Sequence, residues 1–225
     1  VTTQRRALEV QRAAVVAAAG VFDAKPSYEA ASMADLREAT GLSQGGLTHH
    51  FGSKDGIAHA VVEEQHRRSI TLVKAALENP DMTGLEAAIR LSFEFADQLT
   101  HDPVVRAGIK LTISNNDGLD LDKDPWGDWT SATEHLLRRA ADTGEIVLED
   151  MNPADLALLF AGSFIGIHLL SEHRTMRVDL ADRLGDFWTF NLRRVVRPAQ
   201  LPRYLEYVVA CQATVGTEQP TLTKA

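Results

Sequence analysis

The sequence predicts an all-α protein: three helices in a small N-terminal domain, followed by a larger helical bundle. Three observations carry that prediction. Apolar residues recur at three- and four-residue spacing along most of the chain, and no segment alternates as a strand would. Between residues 32 and 54 a serine cap, a short helix, a glycine, a second serine cap and another short helix follow in quick succession. Finally, the chain has 225 residues, 44% of them hydrophobic, which is enough for a real core and one or two domains.

The first helix is expected over residues 4–24, with Leu8, Val15, Ala18, Ala19 and Phe22 on one apolar face. Arg5, Arg6 and Arg12 fall on or near its exposed start, either as a solvated basic helix end or as contacts to phosphate. Lys25-Pro26-Ser27 breaks the helix, and Tyr28 is placed as an aromatic anchor between helices. Ser32 N-caps the next piece, whose apolar positions are Met33, Leu36 and Ala39. Gly41 supplies the positive φ that ends it, and Leu42 packs back as the apolar plug of the turn. Ser43 then caps a helix over 44–50 that is too short to be stable alone. Such a helix persists only when its neighbours hold it, as in a helix-turn-helix, whose second helix enters the DNA major groove. Ser53 caps the following long helix. Lys54 sits in its first turn, where a cation opposes the helix dipole and an external phosphate would account for it.

That long helix should run over 54–79, with Ile57, Ala60, Val61, Ile70, Val73 and Ala76 on its buried stripe. It is too long for the small domain and so should bridge to a second one, with Gln65 near its middle. Helices follow over 84–101 and 103–113, the second opened by the Asp102-Pro103 pair. The polar run SNNDGLDLDKD reads as a mobile surface loop; it lacks the glycine and glutamate positions of an EF-hand, so no metal is assigned to it. Pro125 opens a helix through Asp142, bearing Trp126 and Trp129, and residues 145–147 read as briefly extended. Residues 153–171 are apolar nearly all round, as in a helix buried on two sides, with small residues Ala161, Gly162, Ser163 and Gly166 that let another helix come close. Helices over 179–196 and 202–212 complete the bundle. The expected division is a helix-turn-helix DNA-binding domain over 1–54, a ligand-binding and dimerisation domain over 55–213, and a disordered tail over 214–225.

Charge fits that division. The net charge is −8, yet residues 1–54 hold six Lys/Arg against five Asp/Glu (+1), and residues 55–225 hold 17 against 26 (−9). The acidity belongs to the larger part, leaving the N-terminal segment as the surface that tolerates DNA. No run of about 18 apolar residues suggests a membrane span. No secretory signal pattern opens the chain, and the single Cys211 excludes an internal disulfide framework, so a reducing, cytoplasmic setting is expected. There is no phosphate loop, nucleophile elbow or zinc-protease motif, hence no catalytic residue, metal or cofactor is assigned. His49 and His50 are adjacent and diverge by about 100° on a helix, so they do not share a metal; His49 suits a polar contact to DNA. His168, on the most apolar helix, reads as a hydrogen-bonded core histidine rather than a catalytic one.

Trp126 and Trp129 follow a loop and should face Phe93, Phe95, Phe160 and Phe164, an apolar setting suited to a small hydrophobic ligand. Gln65, Thr133 and Ser163 are the polar side chains expected to orient it.

The segment SQGGLTHHFGSKDGI resembles the recognition region of TetR-type transcriptional repressors, roughly T-K-G-x-L-Y-x-H-F-x-S-K-x-x-L. Gly45, Leu47, His50, Phe51, Ser53 and Lys54 match, and Ser43 stands for the threonine. Gln44 and Thr48 replace the usual lysine and tyrosine, removing two backbone contacts, and Gly45-Gly46 costs about 1–2 kcal/mol of helix propensity against two alanines. Further on, HDPVVRAGIKL, PWGDW and GSFIGIHLLSE are similar to the γ-butyrolactone autoregulator receptors of Streptomyces, with Trp129 at their pocket tryptophan. The resemblance implies a homodimer formed through 153–171 and 179–196, binding double-stranded palindromic operator DNA with recognition helices about 34–36 Å apart. It implies DNA contacts from Arg5, Arg6, Ser43, Gln44, Gly45, Thr48, His49 and Lys54. The ligand, a γ-butyrolactone, butenolide, furan or antibiotic-like molecule, would meet Gln65, Phe95, Trp129, Thr133, Phe160, Ser163 and Phe164, shift helix 103–113 and tilt helix 54–79.

Overall fold

A computed structural model describes residues 2–113 and 127–216. The polar run 114–124, Pro125, Trp126 and most of the expected tail lie outside the described residues. Among those described there are ten helices: α1 Thr2–Ala24, α2 Met33–Thr40, α3 Gln44–Phe51, α4 Lys54–Glu78, α5 Gly84–His101, α6 Pro103–Ile113, α7 Gly127–Asp142, α8 Pro153–Thr175, α9 Leu180–Val195 and α10 Leu201–Gln212. The stretch expected to be extended contributes one isolated antiparallel bridge, Ile146 to Val196. The chain forms two compact units, residues 2–71 with 102–113, and residues 72–101 with 127–216.

The first unit closes over a core from five helices. α1 gives Val15, Ala18, Ala19 and Phe22, α2 Leu36, α3 Leu47, α4 Ile57, Ala58 and Val61, and α6 Val104, Ala107 and Leu111. Each large side chain buried there contributes roughly 1.5–3 kcal/mol. Leu8 departs from expectation: it is 53% exposed, because the core begins nearly two turns further on, at Ala14. Ala39 is exposed as well, since three-residue spacing drifts about 60° per step around a helix and carries it away from Leu36.

The first unit thus takes in α6 and the first two-thirds of α4, beyond residue 54. α6 is held by cations laid on the end of α1, which has none in its own last turn. Arg106 forks onto the Asp23 carboxylate, its Nε at 2.9 Å from Oδ2 and a terminal nitrogen at 2.8 Å, and Lys110 Nζ donates to the carbonyls of Asp23 and Lys25. Against α4 the approach is closer still. A Cβ built on Gly108 would lie 2.3 Å from Gln65 Cβ. Gly108→Ala is therefore expected to push α4 and α6 apart and to cost about 1–3 kcal/mol, seen as a lower urea midpoint at unchanged slope.

In the second unit α5 packs on α7, α9 and α10, and α8 on α7 and α9. Gly84 opens α5 against the α7 backbone, where a Cβ would meet Leu136 O at 2.5 Å and Ala140 N at 2.6 Å. Part of the expected tail is ordered here, since Gly216 N–H donates to Asp97 Oδ1 at 2.9 Å.

α8 corrects two expectations. Among the described helices it alone is long and apolar enough to cross a membrane by length and composition, although no such segment was expected. Nor does the unit bury it on two sides: Leu158 is 65% exposed, and Leu159, Leu169 and Leu170 are exposed too.

His168 is a third correction. It is buried, but its Nδ1 has no hydrogen-bond partner among the described residues, and Nε2 lies 3.8 Å from Glu172 Oε2, beyond hydrogen-bond reach. Burial, reinforced by the Arg177 charge, lowers its pKa from 6.5 to about 4. The native state therefore resists a proton that the unfolded chain accepts, so stability is complete above pH 6.5 and falls as pH drops toward 4. His168→Leu should flatten the stability profile over that window by up to about 3 kcal/mol, as measured by urea unfolding at pH 7 and pH 4.5.

Candidate nucleic-acid interface and ligand cavity

The two short helices of the first unit are fixed by caps at each end. Ser32 Oγ accepts from Asp35 N–H at 3.1 Å while Asp35 Oδ2 accepts from Ser32 N–H at 2.8 Å, a reciprocal capping box. The Ser32 N–H and hydroxyl, together with Lys25 Nζ at 3.0 Å, hold the Asp35 carboxyl down to about 2. Gly41 closes α2 at φ 67°, and Ser43 Oγ opens α3 by accepting from Gly46 N–H at 3.1 Å.

Eight residues long, α3 is anchored by buried Leu47. At 100° per residue, Gln44, Gly45, Thr48 and His49 fall within an arc of roughly 140° on the side away from Leu47, and all four are exposed, as is the cap Ser43. Those five expected contacts thus share one free surface.

The three expected cations differ. Arg6 is exposed at the start of α1. Arg5 pairs with Glu9 one turn on, Nε to Oε1 3.3 Å, in full exposure. Lys54 is already engaged: its Nζ donates to Tyr28 O at 2.7 Å and lies 4.0 Å from the Tyr28 ring centroid. Tyr28 stacks in turn on Phe22 at 6.0 Å and donates its hydroxyl to Asp55. Lys54 therefore fixes the start of α4 on the segment after α1, a role that its sequence separation from Tyr28 hides.

The second unit contains a half-open cavity of about 70 Å³. Its walls are Ala88, Leu91, Ser92 and Phe95 of α5, Trp129 and Thr133 of α7, Phe160, Ala161, Phe164 and Ile165 of α8, and Leu184, Phe187 and Trp188 of α9. Two aromatic groups shape it. Phe95 lies against Trp129 (centroids 4.2 Å apart) and Phe164 (5.4 Å). Phe160, Phe187 and Trp188 meet edge to face, 5.2–5.6 Å apart.

Five of the seven expected ligand residues meet here: Phe95, Trp129, Thr133, Phe160 and Phe164. Two do not. Gln65 belongs to the first unit, where its Nε2 donates to Ser69 Oγ at 3.0 Å and its stem packs on Gly108. Ser163 lines a shallow groove with Asp155, Leu158, Leu159 and Gly162, about 130° around α8 from the middle of the face that lines the cavity. Sequence reasoning missed Ser92, Phe187 and Trp188. The Leu184, Phe187, Trp188, Leu192 stripe of α9 was the available signal, though the same spacing serves ordinary core packing.

Comparison with known proteins fits this arrangement. Residues 14–61, which hold α2, α3 and the turn between them, match the bacterial regulatory proteins of the tetR family, and residues 82–197, which hold the cavity walls, match the tetracyclin repressor-like C-terminal domain. The chain belongs to the TetR family. Among curated relatives of this TetR-family chain, the A-factor receptor protein of Streptomyces griseus is 33% identical over 196 residues, covering 87% of this chain and 67% of the relative. Among solved structures, a γ-butyrolactone receptor (ArpA-like protein) superposes with TM-score 0.79 at 26% identity, covering 92% of this chain and 98% of the other. CprB from Streptomyces coelicolor, solved with its biological operator sequence, gives TM-score 0.75 at 25% identity, covering 91% and 98%. The chain is thus a helix-turn-helix regulator with the TetR fold, similar to γ-butyrolactone receptors.

Proposed function

We propose that this TetR-family regulator is a ligand-responsive transcriptional repressor. It binds a palindromic operator as a homodimer, through Ser43, Gln44, Gly45, Thr48 and His49, and a small γ-butyrolactone-like molecule releases it. The observation that carries the ligand half is the mostly apolar cavity lined by Phe95, Trp129, Phe160 and Phe164, with Thr133 among its few polar residues. No ionisable side chain is among the described residues lining it, so a neutral ligand suits it and a carboxylate would find no cation among them.

Dimerisation is supported by the outer faces of α8 and α9. Leu158, Leu159, Leu169 and Leu170 are exposed, Phe190 is 70% exposed, and a Cβ on Gly162 or Gly166 would meet nothing within 4 Å, leaving room for a close helix neighbour. Operator release requires that ligand and DNA favour different conformers, so each weakens the other by the same factor.

A gel shift with DNA from upstream of the gene, titrated with salt, tests the DNA half. Binding that does not weaken steeply with salt would sink it. Trp129→Ala should leave operator binding intact and abolish release by a γ-lactone; normal release by that variant would remove Trp129 from the site. The cavity volume favours a second reading. About 70 Å³ is well below the roughly 300–1,000 Å³ of drug-sized pockets, which suits a pseudo-receptor that answers to a different small molecule or has a vestigial pocket. Release by extracts of producing cells but not by γ-lactones would favour that reading.

A further inference from the structure

Two hydrogen bonds fix the polarity of one end of the cavity. The Trp188 indole Nε1–H donates to Ser92 Oγ at 2.8 Å, and the Ser92 hydroxyl donates to the Ile89 carbonyl at 2.6 Å. Trp188 is buried, with its ring edge-on to Phe160 and Phe187. Its N–H is thus fully committed, and Ser92, having spent its only proton on its own helix, has only a lone pair left. Three residues along α5, Phe95 belongs to the other aromatic group, with Trp129. Thr133, one turn beyond Trp129 on α7, also lines the cavity, and its hydroxyl makes no hydrogen bond within the described residues. The two ends therefore differ chemically. One offers an uncommitted hydroxyl; the other offers aromatic surface and no free donor.

We propose that Ser92 is a specificity-determining residue of this cavity: by holding the Trp188 N–H, it makes the Phe160–Phe187–Trp188 end accept hydrocarbon and reject a carbonyl. The ligand's own acceptor is thereby directed to Thr133. This inference rests on the reading of the cavity as a ligand site. A carbonyl pushed against the Ser92 end would lose water and find no donor, a loss that costs affinity severalfold or more.

The test uses the full-length protein, with two probes titrated by calorimetry: γ-decalactone, and the same lactone with one ketone in its alkyl tail. The wild type should prefer the plain tail about tenfold or more. Ser92→Ala leaves the indole N–H facing the cavity, so the preference should vanish or invert. In the unliganded variant the Trp188 indole N–H resonance, assigned by its loss in Trp188→Phe, should shift. Ser92→Cys, close in shape and a weaker acceptor, should move the ratio the same way by less, which keeps the test open if the alanine variant folds poorly. Trp188→Phe combined with Ser92→Ala removes both partners and should restore the preference for the plain tail. An unchanged ratio in Ser92→Ala and Ser92→Cys, with the wild type binding both probes, overturns the inference and leaves the ligand site standing. Failure of the wild type to bind either probe overturns the lactone-site reading itself, and this inference with it.

Discussion

Gly56→Ala is expected to unfold the first unit or displace α3, at a cost of about 3 kcal/mol or more, and to abolish operator binding. Gly56 lies in the first turn of α4, where its N–H donates to Ser53 Oγ at 3.1 Å. A Cβ built there would sit 1.9 Å from the carbonyl oxygen of Phe51 and 3.0 Å from its carbonyl carbon. These are backbone atoms, so no rotamer change relieves the clash. The turn that brings Phe51 so near is already tight: Gly52 sits at φ 76°, and Ser53 N–H bonds back to Phe51 O at 2.9 Å. Making room means moving the end of α3, and with it the face that carries Gln44, Thr48 and His49. Gly45→Ala is the control. Its Cβ would meet nothing within 4 Å, and replacing a glycine in the first turn of α3 should raise stability by up to about 1 kcal/mol. Thermal melts of the two variants should therefore move in opposite directions; shifts of the same sign would refute the backbone clash.

The helices and the caps of the helix-turn-helix were legible because both signals are local. Ser32, Gly41 and Ser43 need only their own neighbours to declare a cap or a stop, and Leu47 declares a buried side within one turn. Sequence reasoning failed where the deciding partner is distant along the chain. Nothing near Lys54 indicates that its ammonium will meet the Tyr28 carbonyl and ring, so its part in fixing the start of α4 was not read from the sequence. Gln65 went astray for a related reason. A long helix shows its apolar stripe, yet not where along its length it passes from one unit to the next, and that point lies at Thr71–Leu72, beyond Gln65.

α8 failed differently. Periodicity identifies a face only by contrast, and a helix apolar nearly all round has none. Its cavity side and its exposed side could not be told apart, which put Ser163 with Phe160 and Phe164. Helical geometry separates them once the cavity is located: Ser163 lies roughly 130° from the middle of the Phe160, Ala161, Phe164 and Ile165 face. Trp129 and Phe95 could be placed because a resemblance named one and proximity suggested the other. Trp188 had neither, and its indole bond to Ser92 spans 96 residues.

Glu145→Gln should cost about 2–4 kcal/mol and loosen the cavity as well as the fold. Glu145 is buried, and its two oxygens accept from four donors. Oε1 takes Gly84 N–H at 3.3 Å and the Thr143 hydroxyl at 2.6 Å; Oε2 takes Leu85 N–H at 3.1 Å and the Tyr204 hydroxyl at 3.0 Å. Two of these donors are orphan amides at the start of α5, where the helix dipole also favours an anion. An amide in its place turns one acceptor into a donor facing donors. The same helix end is reinforced by a second capping box, with Thr83 N–H to Glu86 Oε2 at 3.1 Å and Glu86 N–H to Thr83 Oγ1 at 3.3 Å. A partial loss rather than complete unfolding is therefore expected. Burial alone would raise the Glu145 pKa, yet its hydrogen bonds, among them those from Thr143, Leu85 N–H and Tyr204, outweigh it and hold the carboxyl below its ordinary 4.5. A carboxyl depressed in the folded state stabilises the protein above its unfolded pKa and loses that contribution as pH falls through the folded value. The stability gap between wild type and Glu145→Gln should thus be full at pH 7 and shrink below about pH 4.5. Because α5 carries Ala88, Leu91, Ser92 and Phe95 to the cavity wall, hydrogen exchange should rise at those amides in the variant at pH 7. A gap independent of pH, or exchange unchanged along α5, would show that the carboxylate does not hold this helix in place.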